Sequence, residues 1–309
     1  MSTPRRVLVT GGSGLLGRHV IDALLDAGHE PRVLDIKPPM QSVEYEECDI
    51  LDLAGVCRAV VGSDAVIHLA GIDAGNDFSD KDYFETNVQG AWNVLHACEQ
   101  SGTRDIVVAS SAAAYGFGFD REPMYLPVDE AHPLRPRDTY GLTKQVIETV
   151  CRHFVASSEM NIICLRPTLV VRPEREQAIL VQLSLANPDE DARQNIISTD
   201  SVEPYGGLSA TRSYVRSEDC AQCFRLALEN IGSGFETINV AATDGMGRPR
   251  TLQRYQQLFG HDPTVRKPFV YEADACAAVL DTSRARTRLG WCATGSWDDV
   301  VAAQDAPEH

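Results

Sequence analysis

Lysine is scarce in this 309-residue chain: only Lys37, Lys81, Lys144 and Lys267 stand among its 28 basic residues, the rest being arginine. An excess of positive charge is missing too, because 44 acidic residues leave a net charge of −16 at pH 7. The general field of such a chain repels nucleic acid and anionic membrane, so neither is an expected partner, and an anionic ligand has to be held by local donors. No apolar run approaches the roughly 18 residues of a membrane-spanning helix. The start, MSTPRR, passes straight into RVLVT and a glycine loop without an apolar leader core or cleavage site, so the expectation is a soluble, cytoplasmic protein. A disulfide framework is lacking as well. Nine cysteines, an odd number (Cys48, Cys57, Cys98, Cys151, Cys164, Cys220, Cys223, Cys276 and Cys292), are scattered through apolar segments and read as small core hydrophobes in a reducing compartment. Cys220 and Cys223 have CxxC spacing, but no second pair or paired histidines complete a zinc set, so no metal is expected.

What is present is an apolar share of 43%, ample for a core, in a length that suits a main domain with a smaller one attached. From residue 5 to about 167, short β-branched runs alternate with helical periodicity. Strands are predicted at 6–10, 31–36, 43–48, 64–70, 105–111 and 161–167, and helices at 15–28, 52–61, 80–101 and 139–157. This alternation implies an α/β fold, a doubly wound parallel (Rossmann) sheet with crossover helices on both faces. Beyond 168 the rhythm loosens. A helix is expected over 173–186, loop through most of 187–215, a helix at 217–231, a strand at 235–241, and short helices from 244 onward. Residues 1–167 are therefore expected to form the main domain. Residues 168–309 are expected to form mainly a smaller C-terminal substrate-binding lobe across the strand ends, with segments at about 217–242 returning to the main sheet.

The loop Thr10-Gly11-Gly12-Ser13-Gly14-Leu15-Leu16-Gly17 follows the first strand and opens the first helix, satisfying GxGxxG from Gly12 and GxxGxxG from Gly11. Glycines here permit a tight turn, let a pyrophosphate approach the backbone and let the helix pack close to the strand, while the helix start offers N–H groups and partial positive charge. Asp35 ends the second strand at about the distance expected of a carboxylate that binds a ribose 2′-OH. Its charge repels a 2′-phosphate, which favours NAD over NADP.

In TYGLTK (139–144), Tyr140 and Lys144 are four residues apart and share one face of a helix. A phenol is a weak base at neutral pH, but a nearby ammonium favours the phenolate. Lysine offers a compact point charge where arginine offers a broad planar fork. That is a physical reason for one of the few lysines to stand at position 144.

These segments, together with CDI (48–50), HLAG (68–71), TNVQGAWNVLHAC (86–98), SSAAAYG (110–116), LRP (165–167), RSYVRSEDCA (212–221) and LDTSRARTRLGW (280–291), resemble the extended short-chain dehydrogenase/reductase superfamily. The likeness is to its NAD-dependent epimerase/dehydratase family, which includes UDP-glucose 4-epimerase. It implies Ser111, Tyr140 and Lys144 as the catalytic set. For NAD it implies Gly11, Gly14, Leu15, Leu16, Gly17, Asp35, Ile36, Asp49, Ile50, Leu69, Ala70, Gly71, Asn87 and Pro167, besides Tyr140 and Lys144. Toward a sugar or nucleotide-sugar substrate it implies Ser111, Ala112 and Arg212, the last as a donor to a phosphate or carboxylate, and Arg172, which has no counterpart in the family, is read as a second donor. Arg212 has a second reading, a salt bridge within the lobe. The resemblance also implies a homodimer joined through the helices near 80–101 and 139–157.

The chain departs from the family in two places. Ser111 is followed by Ala112-Ala113-Ala114, so the acidic pair that the family's 4,6-dehydratases use to expel water is missing. Leu169 stands where nucleotide-sugar members commonly carry an asparagine, and Arg172 where they carry a glycine. Three readings follow: an NAD-dependent epimerase, an NAD-dependent dehydrogenase of a smaller sugar, uronate or sugar acid, and a non-catalytic NAD-sensing protein.

Overall fold

The structure is a computed structural model that describes residues 3–75, 77–118, 120–176, 179 and 211–304. Short runs rich in buried Val, Ile and Leu form the strands β1 (Arg6–Thr10), β2 (Glu30–Asp35), β4 (Ala65–His68), β5 (Asp105–Ala109) and β6 (Asn161–Pro167), and the polar segment Glu-Tyr-Glu-Glu forms the edge strand β3 (Glu44–Glu47). After β7 (Leu169–Val171) and β8 (Tyr214–Arg216), the chain returns in β9 (Phe235–Val240). Seven of these form one sheet in the order β3-β2-β1-β4-β5-β6-β9, with every neighbouring pair parallel. A separate parallel pair joins β7 to β8. The sheet reverses direction of winding between β1 and β4, so the ends of those strands open into the crevice where such folds bind ligands.

Side chains alternate across the sheet, and helices cover both faces, which is why the central strands read as continuous apolar runs. Val7, Val9, Ile67 and Ile163 face one layer, packed by α1 (Gly17–Asp26) and α6 (Ser217–Glu229). Leu8, Val66, Ile106, Val108 and Ile162 face the other, packed by α2 (Leu53–Val60), α4 (Gly90–Ser101) and α5 (Thr139–Ser157). All nine cysteines are unpaired, and Cys220 and Cys223 are fully buried in the first of these layers. A third cluster, including Tyr115, Leu126, Val128, Tyr255 and Tyr271, forms the core of the lobe with α7 (Thr251–Phe259) and α8 (Pro268–Ala273). The helices α9 (Ser283–Leu289) and α10 (Trp297–Gln304) complete the described chain. Among the described residues no helix is long and apolar enough to cross a membrane.

The predicted strands at 6–10 and 161–167 and the helix at 139–157 match the observed bounds. The helix expected over 80–101 is not uniform: α3 (Asp80–Tyr83) leads into a π-helical turn, Phe84–Gln89, before α4. The wider turn lies where Asn87 points inward. The helix expected over 173–186 is helical at 173–176; most of the remainder, and most of the loop expected over 187–215, lies outside the described residues.

One buried ion pair ties these layers together. Glu148 of α5 and Arg166 of β6 are 0% and 2% exposed, joined by two hydrogen bonds of 2.7 Å, from Nε to Oε1 and from Nη2 to Oε2. Ser110 Oγ donates to Glu148 Oε1 at 2.8 Å, and Arg166 Nη1 donates to the Tyr115 hydroxyl at 2.9 Å. That hydroxyl donates in turn to Asn239 Oδ1 on β9 at 2.7 Å. Removing one partner leaves the other charge buried and uncompensated, which costs about 3–5 kcal/mol. Arg166→Met and Glu148→Gln are each expected to lose stability of that order in urea unfolding at pH 7, and the double variant Glu148→Leu/Arg166→Met to recover much of it. Single variants within about 1 kcal/mol of the parent, a loss typical of an ordinary point substitution, would show that the pair does not hold the layers.

Candidate active site

The glycine turn is compact for reasons its side chains could not satisfy. Gly11 has φ +73°, and a Cβ there would lie 2.6 Å from the Ala70 nitrogen. A Cβ on Gly17 would lie 2.2 Å from the Gly11 carbonyl oxygen, so α1 can press onto the turn only with glycine at its start. Leu16 precedes α1 without any side-chain cap, so no side chain competes with a ligand for that helix end. Leu15 is 56% exposed and Ile36 61% exposed, giving apolar surface on either side of the turn.

Asp35 is fixed beside this turn. Its Oδ2 accepts from the Ser13 backbone N–H at 3.1 Å and its Oδ1 from that of Lys37 at 3.2 Å, while Ser13 Oγ donates to the Lys37 carbonyl. Asp49 Oδ1 accepts from Leu51 N–H at 2.9 Å. The Ile50 side chain is buried in the core against Gly90, where a Cβ would approach its Cδ1 to 2.3 Å, so its backbone is the part that can meet a ligand. Leu69 and Ala70 follow β4, the latter against Gly11, and a Cβ on Gly71 would lie 2.8 Å from Asn87 Oδ1. These residues fit a dinucleotide: the cradle is closed to side chains, lies at a helix start and is flanked by a placed carboxylate.

Asn87 is buried and clamps two segments. Its amide accepts from Ile72 N–H at 2.7 Å and donates to the Ile72 carbonyl at 3.0 Å and to Thr143 Oγ1 of α5 at 3.2 Å. His68 is buried next to Thr10, Nδ1 to Oγ1 2.7 Å, and burial with the nearby Lys144 charge pushes its pKa down to about 3, so it is neutral.

Asp138 caps α5 by accepting from Gly141 N–H at 2.7 Å. A Cβ on Gly141 would lie 2.7 Å from the Ala113 carbonyl, so glycine at this position lets the start of α5 press against the turn after Ser111. Ser111 is extended (φ −159°, ψ 149°), and its Oγ accepts from Ala113 N–H at 3.1 Å. Lys144 is buried, donates to the Ala109 carbonyl at the end of β5 (3.0 Å), and holds its Nζ 5.4 Å from the Tyr140 ring centroid. Burial lowers its pKa from 10.5 to about 8, with the Asp73 carboxylate opposing that shift. Tyr140 is half-buried, with the Tyr83 ring edge-on at 6.3 Å. Strand β5 and helix α5 thus bring Ser111, Tyr140 and Lys144 to one end of the sheet, above the ion pair.

The remaining expected residues divide. Ala112 is buried in the lobe core, and Pro167 ends β6 beside Val240. Arg172 lies beside Glu174, which also pairs with Arg18 of α1, whereas Arg212 lies in the lobe and donates to the Met246 carbonyl at 3.3 Å. Its near cationic neighbour is Arg254 of α7. Sequence reasoning missed the parts played by Glu148, Arg166 and Gly141. A charged residue inside the apolar run IICLRP was the available signal for Arg166.

The model of the NAD dependent epimerase/dehydratase family matches residues 7–241. The chain is 28% identical over 329 aligned positions to the UDP-glucose 4-epimerase of Mus musculus, covering 93% of this chain and 92% of that one. It is 25% identical over 317 positions to that of Streptococcus mutans serotype c, covering 95% and 93%. Among solved structures it is similar in fold to a short-chain dehydrogenase/reductase superfamily protein from Agrobacterium tumefaciens with bound NAD (TM-score 0.70, 24% identity, 96% of this chain and 95% of that one). It is likewise similar to the UDP-glucose 4-epimerase of Brucella ovis in complex with NAD (TM-score 0.69, 24% identity, 96% of each chain). With the family match spanning most of the chain, and with the glycine turn, Asp35 and the Ser111, Tyr140 and Lys144 set in place, the protein belongs to the NAD dependent epimerase/dehydratase family.

Proposed function

We propose that this chain is an NAD-dependent epimerase-type oxidoreductase acting at a secondary alcohol of a sugar or nucleotide sugar. The observation that carries the reading is the buried Lys144 ammonium, held by the Ala109 carbonyl next to Tyr140. NAD, which the glycine turn and Asp35 would hold, would supply the hydride acceptor for the alcohol carbon and the hydride donor for the resulting ketone. Tyr140, its phenolate favoured by the Lys144 charge, takes the alcohol proton and returns it. Ser111 Oγ accepts from Ala113, which leaves its O–H to donate to the substrate oxygen as charge develops there. Ala112-Ala113-Ala114 offers no acid or base for loss of water, so the chemistry stops at hydride and proton transfer.

Residues 1–167 carry the cofactor site in this reading and the lobe within 168–309 holds the substrate. A nucleotide sugar is supported by the UDP-glucose 4-epimerases among the relatives. A dehydrogenase of a smaller uronate or sugar acid is favoured instead by Leu169 and Arg172 in the β7 region. Protein that purifies with bound NAD and gives no net NADH on candidate sugars supports the epimerase; steady NADH formation supports the dehydrogenase.

We further propose a homodimer through α4 and α5. Trp92 of α4 and Leu142 of α5 are each about 40% exposed, and Trp92 stacks on His153 of α5 at 5.9 Å, so the two helices lie side by side with large apolar side chains open to solvent. A cytoplasmic location is supported by the nine unpaired thiols.

Tyr140→Phe is expected to lower turnover by about 10²- to 10⁴-fold in a steady-state assay at saturating NAD; intact turnover would remove the mechanism. Because Lys144 has a lowered pKa, its charge is lost as pH rises through about 8, so the rate should fall above that pH. Lys144→Arg, cationic throughout, should lose that alkaline limb even if slower overall, and a limb unchanged in this variant would assign it to another group. Asp35→Ser should shift cofactor preference toward NADP by relieving repulsion of a 2′-phosphate, measured as the ratio of the two dissociation constants. An unchanged ratio would mean that Asp35 does not read the ribose.

A further inference from the structure

We infer that Tyr83 is a positioning residue for the reaction: its ring and hydroxyl together hold the Tyr140 phenol beside the Lys144 ammonium and tie that position to the loop after β4. This rests on the proposed function in taking Tyr140 to be the group that carries the proton.

Asp80, Tyr83 and Asn87 follow one another at helical spacing along α3 and the π-turn, and each meets the start of α5. Thr139 Oγ1 donates to Asp80 Oδ1, the Tyr83 and Tyr140 rings lie with centroids 6.3 Å apart at 65°, and Asn87 Nδ2 donates to Thr143 Oγ1 at 3.2 Å. Thr143 Oγ1 donates in turn to the Tyr140 carbonyl at 2.7 Å, so the backbone of the phenol-bearing residue is held from the same side. The ring has its own freedom. Tyr140 is half-buried, and which rotamer it keeps depends on what packs against it. Lys144 Nζ lies 5.4 Å from its centroid, and the Tyr83 ring meets it edge-on.

Tyr83 is itself firmly placed. It is 7% exposed, it belongs to a helix closed at its start by the Ser79–Asp82 capping box, and its hydroxyl donates to the Asp73 carbonyl at 3.0 Å. Asn87 clamps the neighbouring Ile72 through both N–H and carbonyl. Two consecutive residues of the loop after β4 are thus held by the segment that also meets Tyr140, and the hydroxyl sets the rotation of the ring that the phenol touches.

The charges around the phenol make its distance from Lys144 matter. On α5, Asp138 is engaged in capping Gly141 N–H, and on α3, Asp80 accepts from Thr139. From β4 and its loop come His68, which is neutral, and Asp73, an exposed carboxylate that favours the Lys144 charge; from β6 comes Cys164, a buried neutral thiol. Lys144 is the cation beside the ring, and a phenol free to turn away from it loses part of the attraction that favours the phenolate.

The test is a pH titration of the NAD-saturated protein followed by near-ultraviolet absorbance, which reports phenolate. Each protein is read against the same protein carrying Tyr140→Phe, so the difference isolates the Tyr140 step and requires no substrate. Tyr83→Phe keeps the ring and loses the tether to Asp73, whereas Tyr83→Leu loses both. The midpoint of the Tyr140 step is expected at higher pH in both variants. At a fixed pH below the parent's midpoint, the phenolate fraction should fall about threefold or more in Tyr83→Leu and by a smaller factor in Tyr83→Phe. A midpoint that stays in place in either variant overturns the inference, even if urea unfolding shows lost stability, because a purely structural role moves the second readout and not the first. Should Tyr83→Leu not fold, Tyr83→Phe alone decides by the same criterion. Failure of the hydride-transfer reading would appear separately, as intact turnover in Tyr140→Phe, and would leave the comparison of midpoints standing.

Discussion

The Glu148–Arg166 ion pair is the constraint on which the site's geometry rests. It joins the helix that carries Tyr140 and Lys144 to the strand beside β5, and through Ser110 and Tyr115 it reaches the segment on both sides of Ser111. A buried pair of this kind is weak evidence for stability, because desolvation offsets much of the attraction. Its value here is positional. Lys144 lies one helical turn before Glu148, so fixing the carboxylate also fixes the height at which the ammonium meets the Ala109 carbonyl. Apolar side chains of similar volume would fill the space without that specification of height and rotation.

Lys144 shows the same trade from the other side. Its depressed pKa means that burying the ammonium costs stability in full below pH 8, a cost that shrinks as pH rises from there toward the unfolded value of 10.5. The chain, with a net charge of −16, places compact positive charge where a phenolate has to form. It uses a helix start, which carries only partial charges, at the glycine turn. Long-range attraction of an anionic ligand is unavailable to such a protein, so recognition falls to groups in direct contact.

The fold was largely legible because its signals are local. Buried strands announce themselves as β-branched runs, and α1, α2 and α5 as helical periodicity between them. The glycine turn, Asp35 and the Tyr140–Lys144 spacing were legible because one strand, turn or helix fixes their relation. The Phe84–Gln89 π-turn was hidden, since the inward pull on Asn87 comes from Ile72 and Thr143, which are distant in sequence. Gly141 could be read as part of a motif, but the reason for glycine there, contact with the Ala113 carbonyl, needs both elements in space.

The π-turn also bears on how this region tolerates change in chain length. A π-turn holds one residue more than the α-helical turn it replaces, and such a turn is readily gained or lost as a single-residue insertion within a helix. Deleting one residue between Phe84 and Gln89 would let α3 and α4 merge into one continuous helix, and because the wider turn is what absorbs the extra residue, the change would fall on the turn itself while the flanking segments keep their faces. Asn87 would then swing off the Ile72 backbone, and the loop after β4 would lose its tether to α5. In sequence comparisons, a one-residue gap across 84–89 therefore marks a relative in which that tether has been rebuilt from another side chain or lost.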